Sequence, residues 1–267
     1  YQSLAVKYDG TVQAWGGDNY NHGLLDIPPN LTDVIGVEAG FGSGIALKSN
    51  GTLVGWGTQP AAQIPLGLTD VISISMDWQH AMALKSDGTV AVWGTECTSC
   101  IEDIPSDLSN VVEIDAGHSH VLALKADSTL IAWGNNGSNQ CDIPSDLTNV
   151  VDFIAGRDWS AALKSDGTVI TWGTNSYGQQ NVPGSLSNVI EIDGGGRHGV
   201  ALKSDGTVVC WGNNDNGQNN IPSGLSDVIG IKAGKYHTLA LKSDGTVISW
   251  GLNDHGQTNV PNGLVLT

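Results

Sequence analysis

The chain repeats the stretch Lys203-Ser204-Asp205-Gly206-Thr207-Val208-Val209-Cys210-Trp211-Gly212 seven times with small changes. Each copy ends in a Trp-Gly pair, and successive pairs lie 37 to 41 residues apart. These pairs begin at Trp15, Trp56, Trp93, Trp133, Trp172, Trp211 and Trp250. A period of this length is typical of a solenoid, a propeller or another repeat array.

One repeat, residues 228–261, shows how the unit is built. It predicts four short strands: a at 228–231, b at 239–242, c at 246–250 and d at 257–260. Asp244-Gly245 between strands b and c is a strong hairpin signal and predicts a type I′ turn. Pro261 suits the end of an outer strand. Seven such units predict an all-β, seven-bladed β-propeller of four-stranded antiparallel blades.

The two ends of the chain indicate how the ring closes. Residues 1–7 match residues 236–242, so the chain begins just before a strand b. Residues 263–266 stand where another strand a would begin. We therefore expect the C-terminal strand to join the N-terminal blade, which removes exposed edges. No linker interrupts the repeat, and residues 1–267 are expected to form one domain.

The repeated motifs resemble those of the RCC1-like repeat family over the whole chain. The compact unit carries Gly217-Gln218, Ile221-Pro222 and a segment from Ala233 to His237. In these features it is most similar to the β-lactamase inhibitory protein II family. That resemblance implies a secreted inhibitor that contacts an enzyme through aromatic and acidic loop residues on one propeller face.

The charge of the chain narrows the classes of partner. Its formal net charge is −16 and its pI is about 4.4. Nucleic-acid binding requires basic residues that neutralise phosphates, so we expect no nucleic-acid partner. No apolar run approaches the roughly 18 residues of a membrane span, so we expect no membrane insertion.

One face of the predicted propeller varies from blade to blade. The b–c turns and the d–a loops are nearly identical in all repeats, whereas the a–b and c–d loops differ. Large aromatic and cationic residues, which dominate interface energies, occupy the variable loops. The predicted partner-binding residues are Tyr20, Phe41, Trp78, His118, Arg157, Asp158, Tyr177, Arg197, Lys235, Tyr236 and His255.

The sequence carries no enzyme motif, and we predict no catalytic residue. His80, His120, His198 and His237 share one repeat position and are expected to bond to a neighbouring backbone group. A metal bound by His118 and His120 is a weaker alternative, since no carboxylate follows at ligand spacing. We expect neither a metal nor a cofactor. The framework tryptophans are expected to be wedges in the core between blades.

Four cysteines allow more than one interpretation. Cys97 and Cys100 could form a local disulfide, or Cys100 could bridge to Cys141 in the next repeat. A redox or half-zinc motif lacks a second cysteine pair at suitable spacing. Cys210 precedes a framework tryptophan and is predicted to be a small buried residue.

Together these features favour a secreted or cell-surface monomer that binds another protein and is not an enzyme. The resemblance makes a β-lactamase the first partner to test, with the variable face capping its active site. The alternative is a carbohydrate-binding lectin or adhesin module that uses Trp78, Tyr177 and Tyr236 of the same face to bind a glycan.

Overall fold

The computed structural model describes residues 2–17, 23–78, 80–95 and 103–266, and its regular structure is almost entirely β. The first three blades are β1 (Gln2–Val6) and β2 (Val12–Gly16); β3 (Val34–Gly40), β4 (Ser43–Lys48) and β5 (Leu53–Gly57); β6 (Val71–Asp77), β7 (His80–Lys85) and β8 (Val90–Gly94). The next two are β9 (Val111–Ala116), β10 (His120–Lys125) and β11 (Leu130–Gly134); β12 (Val150–Ala155), β13 (Trp159–Lys164) and β14 (Val169–Gly173). The last two are β15 (Val189–Gly194), β16 (His198–Lys203) and β17 (Val208–Gly212); β18 (Val228–Ala233), β19 (His237–Lys242) and β20 (Val247–Gly251).

The seven sheets confirm the all-β propeller, one blade for each repeat. In blades two to seven, strand b lies between strands a and c, and all pairs are antiparallel. A register shift near the start of each inner strand bends the ladder. A short 3-10 helix, Pro60–Ala62, replaces part of a loop in blade two. None of the helices in the described part of the chain is long and apolar enough to cross a membrane.

The predicted outer strand d does not form in any blade within the described residues, so the four-stranded blade is corrected to three strands in blades two to seven and two in blade one. In blade seven the segment folds into consecutive turns instead. The amide of Asn259 donates to the Gly256 carbonyl at 3.0 Å, and that of Val260 donates to Thr258 at 3.0 Å. The Asn253 side chain also bonds to the Asn259 side chain at 2.8 Å. The backbone donors that a fourth strand would need are therefore used locally.

The b–c turns also differ from the type I′ prediction. Gly206 has φ +76°, but Asp205 is not among the positive-φ residues, whereas a type I′ turn needs two. The Asp205 side chain instead accepts from the Thr207 amide at 3.0 Å. The turn therefore has a single left-handed residue, at its last position. In blade four that residue is Ser128, with φ +64°.

The hydrophobic core consists of layers between neighbouring blades. Around Trp172, for example, Leu122 and Leu124 of blade four pack against Val150 and Phe153 of blade five. Each framework tryptophan is 3% to 8% exposed, which confirms the prediction that they are core wedges. The indole N–H also crosses the blade boundary: Trp172 donates to the Gln140 carbonyl at 2.8 Å.

A tryptophan hydrogen bond of the same kind joins blade one to blade seven where the ring closes. Trp15 of blade one donates to the Gln257 carbonyl of blade seven at 3.0 Å. Among the described residues, β1 pairs with β2 alone. The C-terminal segment lies where an inner strand begins: the Leu266 amide donates to the Gly245 carbonyl of blade seven at 2.9 Å, as the Val228 amide donates to Gly206 one blade earlier. Val265 also bridges to Thr246. The described residues end at this position, so a complete C-terminal strand in the first blade stays a prediction.

The repeated histidines bond to side chains and not to the backbone, which corrects the prediction. Nε2 of His120 lies 2.9 Å from the Ser160 hydroxyl of the next blade, and that hydroxyl donates to the Gln140 carbonyl at 2.8 Å. His198 pairs in the same way with Thr238, and His237 pairs with Ser3. Each of these three histidines therefore joins its blade to the next one by a side-chain hydrogen bond.

His80 is the exception among these histidines and gives a testable prediction. It is fully buried, and neither ring nitrogen has a hydrogen-bond partner among the described residues. In the blade that follows His80, the position of Ser160 is occupied by Val121. The two positions correspond because both residues pair with the framework tryptophan of their own sheet. We expect Val121→Thr to raise the free energy of unfolding by about 1 kcal/mol by giving the buried imidazole a partner.

The matched control is Ser160→Ala, which removes the partner of His120. Leaving a buried polar group unsatisfied costs about 1 to 3 kcal/mol, so this variant should be less stable than the wild type. Urea denaturation of both variants measures the two effects. Destabilisation by Val121→Thr would show that the site does not accept the hydroxyl.

Candidate binding face

Backbone hydrogen bonds place the a–b and c–d loops on the same face. In blade six the Asn213 amide, which begins the c–d loop, donates to the Arg197 carbonyl of the a–b loop at 2.9 Å. The same bond joins Leu252 to Tyr236 in blade seven. On the opposite face the b–c turn joins the d–a loop, as Ser204 does with Asn188 at 2.9 Å. The predicted division into a variable face and a framework face is confirmed.

An aromatic cluster lies at the mouth of the central channel on the variable face. Phe41 stacks on Trp78 with ring centroids 4.6 Å apart, and His118 meets the same indole edge-on at 5.4 Å. The ammonium of Lys235 lies 4.1 Å from the Trp78 ring centroid and 5.5 Å from that of Tyr236. These residues come from blades two, three, four and seven. Trp78 thus reaches across the channel mouth to a blade that is not its neighbour.

The backbone of Trp78 holds the indole in this position at a conformational cost. Its φ is +44°, in the left-handed region that is unfavourable for a bulky residue. The Trp78 amide donates to the Asp77 side chain at 2.7 Å, and its carbonyl accepts from the Phe41 amide at 2.8 Å. Strained residues held by their surroundings are concentrated at functional sites.

The remaining predicted site residues are distributed around this cluster. Arg157 lines the channel mouth and lies 3.7 Å from the carboxylate of Asp158. Farther out, the Arg197 guanidinium stacks 3.9 Å above the ring of Tyr177, which is 40% exposed. The His255 amide donates to the Gln257 side chain at 3.0 Å in the c–d loop of blade seven. Tyr20 lies outside the described residues.

Below the aromatic cluster, the channel carries acidic residues that the sequence analysis missed. The lumen is lined by Glu38, Glu113, Asp115, Asp152 and Asp193 around Lys232. Several of these carboxylates join neighbouring inner strands: Asp115 accepts from the Ala155 amide at 2.6 Å, and Asp193 accepts from the Ala233 amide at 3.0 Å. The signal in the sequence was an acidic residue at the third or fifth position of an inner strand, as with Asp152 and Asp193.

The crowded lumen shifts the pKa values of its carboxyl groups. Burial raises the pKa of Glu38 to about 8, and burial also raises those of Asp115 and Asp152 to about 7. The charge of Asp193, 3.5 Å away, raises the pKa of Lys232. At the mouth, burial raises the pKa of Asp77 and lowers that of His118, and the attraction between the two groups opposes both shifts.

These shifts predict that stability passes through a maximum near about pH 6. In the unfolded chain the carboxyl groups lose their protons at the ordinary pKa values, 4.5 for Glu38 and 3.8 for Asp115 and Asp152. In the folded state the raised pKa values keep these groups protonated to higher pH. Their contribution to stability is therefore lost as the pH rises through about 7 to 8. The buried histidines act in the opposite sense: His120 and His198 have pKa values of about 3, against 6.5 when unfolded. Their contribution is lost as the pH falls below 6.5.

Thermal unfolding between pH 4 and pH 9 measures this maximum. The variant Glu38→Gln should flatten the decline above about pH 7, because it removes the carboxyl group with the highest pKa. A wild-type stability that rises steadily from pH 6 to pH 9 would contradict the assignment of these lumen protons.

Among the described residues, no group of three or more His, Cys, Asp or Glu side chains is arranged to hold a metal ion. Cys141 carries a free thiol that donates to the Asn135 carbonyl at 3.3 Å. Cys97 and Cys100 lie outside the described residues. Cys210 is half-buried against the core between blades six and seven.

Comparison with protein families identifies the repeats. The regulator of chromosome condensation (RCC1) repeat matches residues 111–140, 150–179, 189–218 and 228–257. Each match runs from the inner strand of a blade, in blades four to seven, to the glutamine of its c–d loop. Blades four to seven of this β-propeller therefore carry RCC1-type repeats. A comparison with curated protein sequences found no match.

Solved structures support the same fold. The chain is similar to Prp20p of Saccharomyces cerevisiae, with 19% identity, a TM-score of 0.75 and coverage of 94% of this chain and 83% of that one. It is also similar to the ectodomain of the Arabidopsis thaliana receptor kinase ACR4, with 19% identity, a TM-score of 0.72 and coverage of 94% and 93%. The ectodomain of the Physcomitrella patens receptor kinase CR4 is similar as well, with 18% identity, a TM-score of 0.77 and coverage of 94% of this chain and 70% of that one.

Proposed function

We propose that this propeller is a non-enzymatic module that binds another protein through the channel mouth of its variable face. The aromatic and cationic cluster around Trp78 carries the proposal. It gathers residues from four blades at positions that the repeat leaves free, and it holds the central indole in a strained backbone conformation. Tryptophan, tyrosine and arginine surrounded by polar loops are typical of the energetic centre of a protein interface.

The similarity to structures of binding proteins supports the general class. Prp20p is described by its binding to Gsp1p and histones, and yeast RCC1 has been solved bound to Kap60. These partners belong to those proteins, and the low identity extends the fold alone to this chain. The compact repeat resembles that of the β-lactamase inhibitory protein II family, and the finer proposal is therefore that this module inhibits a β-lactamase. Secretion or display on a cell surface belongs to the same proposal.

The test is binding to a defined panel of purified class A β-lactamases, measured by biolayer interferometry and by inhibition of hydrolysis. The proposal expects tight capture of at least one enzyme and loss of activity in the captured enzyme. Tyr236→Ala should weaken that capture. Tyr8→Ala is the matched control, because Tyr8 is an aromatic residue, 87% exposed, in a turn of the framework face. Capture that depends on Tyr8 and not on Tyr236 would move the site to the opposite face.

A lectin or adhesin is the second candidate. The exposed Tyr177 ring with Arg197 stacked on it is the observation that favours this function, since aromatic rings on a polar loop can stack on sugars. A glycan array separates the two candidates. Glycan binding that is lost in Tyr177→Ala, without capture of any β-lactamase, would replace the protein-binding proposal.

A further inference from the structure

The side chains at the channel mouth divide into two halves of different chemistry. The aromatic half comes from blades two to four and consists of Phe41, Trp78 and His118, whose rings are in contact. The cationic half comes from blades five to seven and consists of Arg157, Arg197 and Lys235. The chain has eight other basic residues: seven end a strand b on the framework face, and Lys232 lies in the lumen. The cationic half is therefore where this chain of net charge −16 concentrates positive charge on its variable face.

A gap interrupts the cationic half at blade six. Arg157 and Lys235 occupy the same repeat position, and the residue at that position in blade six is Gly196. The Gly196 carbonyl accepts from the Arg157 amide at 3.3 Å, and a Cβ atom placed on Gly196 would lie 3.2 Å from Cγ of Lys235. Gly196 therefore lies between the two cationic side chains, and its missing side chain leaves a slot there. The slot belongs to a cavity of about 180 Å³ that Asp77 and Trp78 also line.

The cations around the slot are held close together. The Lys235 side chain is half-buried, and burial and the charge of Arg157 lower its pKa; Arg197 adds to this shift and Asp77 opposes it. The Arg157 guanidinium has its Nε 3.7 Å from the Asp158 carboxylate, and it makes no hydrogen bond to the residues that the structure describes. Its planar N–H donors suit a second carboxylate, which would also offset the repulsion between the cations.

The acidic groups near the slot leave it with a positive balance at mildly acidic pH. Asp193 is paired with the lumen lysine at 3.5 Å. Burial raises the pKa of Glu38 to about 8 and that of Asp115 to about 7, so both are protonated at about pH 6. Asp77 lies close enough to attract two of the three cations of the mouth. Those three cations therefore face two carboxylates, Asp77 and Asp158.

We propose that the protein partner inserts the carboxylate of an aspartate or glutamate into the slot at Gly196, between Arg157 and Lys235. An apolar side chain next to that residue packs on the aromatic half of the mouth, against Trp78 and Phe41. The partner is thus recognised by an exposed acidic residue beside an aromatic or aliphatic one. The resemblance of the repeat implies acidic contact residues on the propeller, whereas at this slot the propeller supplies the cations. The inference rests on the protein-binding function proposed for the variable face.

The first test uses a phage-displayed library of random peptides, selected at about pH 6 against the immobilised wild-type chain. We expect the enriched sequences to carry an acidic residue beside an apolar one. The best peptide is synthesised together with a counterpart in which asparagine or glutamine replaces the acidic residue. The carboxylate peptide should bind about tenfold more tightly in fluorescence anisotropy, because hydrogen bonds between ionised groups are stronger than those to a neutral amide.

Variants of the propeller locate the carboxylate. Gly196→Val fills the slot and should reduce binding of the carboxylate peptide about tenfold, to the level of its amide counterpart. Gly184→Val is the matched control, since Gly184 is in a framework loop where no atom lies within 4 Å of an added Cβ. Neither glycine has a positive φ, so both positions accept a side chain without backbone strain. Arg157→Gln removes charge without filling the slot and should weaken the carboxylate peptide in the same way.

The inference is overturned if no peptide is selected, if the selected peptides lack acidic residues, or if the carboxylate and amide peptides bind equally. It is also overturned if Gly196→Val and Arg157→Gln both bind like the wild type. The panel of β-lactamases separates this inference from the proposed function. Capture of an enzyme that Tyr236→Ala weakens and neither slot variant weakens would support the proposed function and reject the slot. Acidic peptides that require the slot, without capture of any enzyme, would support the slot and reject β-lactamase inhibition.

Discussion

Replacing Trp172 with alanine is expected to lower the free energy of unfolding by about 3 to 5 kcal/mol. The indole is 6% exposed and fills the layer between blades four and five, against Leu122, Leu124 and Phe153. Its removal leaves a cavity in a densely packed region and also deletes the 2.8 Å hydrogen bond to the Gln140 carbonyl. Urea denaturation followed by circular dichroism measures the loss.

Trp172→Phe separates the packing contribution from the hydrogen bond. Phenylalanine keeps most of the apolar volume but has no N–H, so it should cost about 1 to 2 kcal/mol. The Gln140 carbonyl would retain its bond from the Ser160 hydroxyl at 2.8 Å. A Trp172→Ala variant that unfolds at the wild-type urea concentration would show that the framework tryptophans do not stabilise the blade boundary.

The sequence predicted the repeat, the strands b and c and the tryptophan core because these features depend on local patterns. Leu239 and Leu241 alternate with residues of the opposite sheet face, and Asp244-Gly245 marks the turn. The outer strand was predicted from Gln257 to Val260 because its composition also suits a strand. The segment forms turns instead, because the side chains of Asn253 and Asn259 bond to each other.

The position of the predicted site residues on one face could be read from the sequence for a related reason, whereas their role in binding stays a prediction. Comparing repeats separated variable loops from framework loops, and that comparison placed Phe41, Trp78 and Lys235 on one face. The same comparison could not show that these three residues touch, because their contacts join blades that are distant in sequence. The acidic lumen was missed because Asp115 and Asp193 are close to Lys232 only once the inner strands surround the channel.

Trp78→Ala is expected to weaken binding of the protein partner by about 1 to 4 kcal/mol while changing stability much less than Trp172→Ala. The indole is the centre of the channel-mouth cluster, with Phe41 stacked at 4.6 Å and the Lys235 ammonium at 4.1 Å. Its loss removes the ring that stacks on Phe41 and leaves the Lys235 ammonium without this indole beneath it. Titration calorimetry with a captured enzyme from the panel measures the change.

A second substitution at the same position separates the ring from the strained backbone. Trp78→Gly also removes the indole, but glycine accepts φ +44° without the steric cost that alanine carries. The glycine variant should therefore be more stable than the alanine variant by about 1 kcal/mol. Both should lose affinity to a similar extent if the indole itself contacts the partner. Retained affinity in both would show that the ring is not an anchor, and the binding surface would then have to lie on the outer loops around Tyr177 and Arg197.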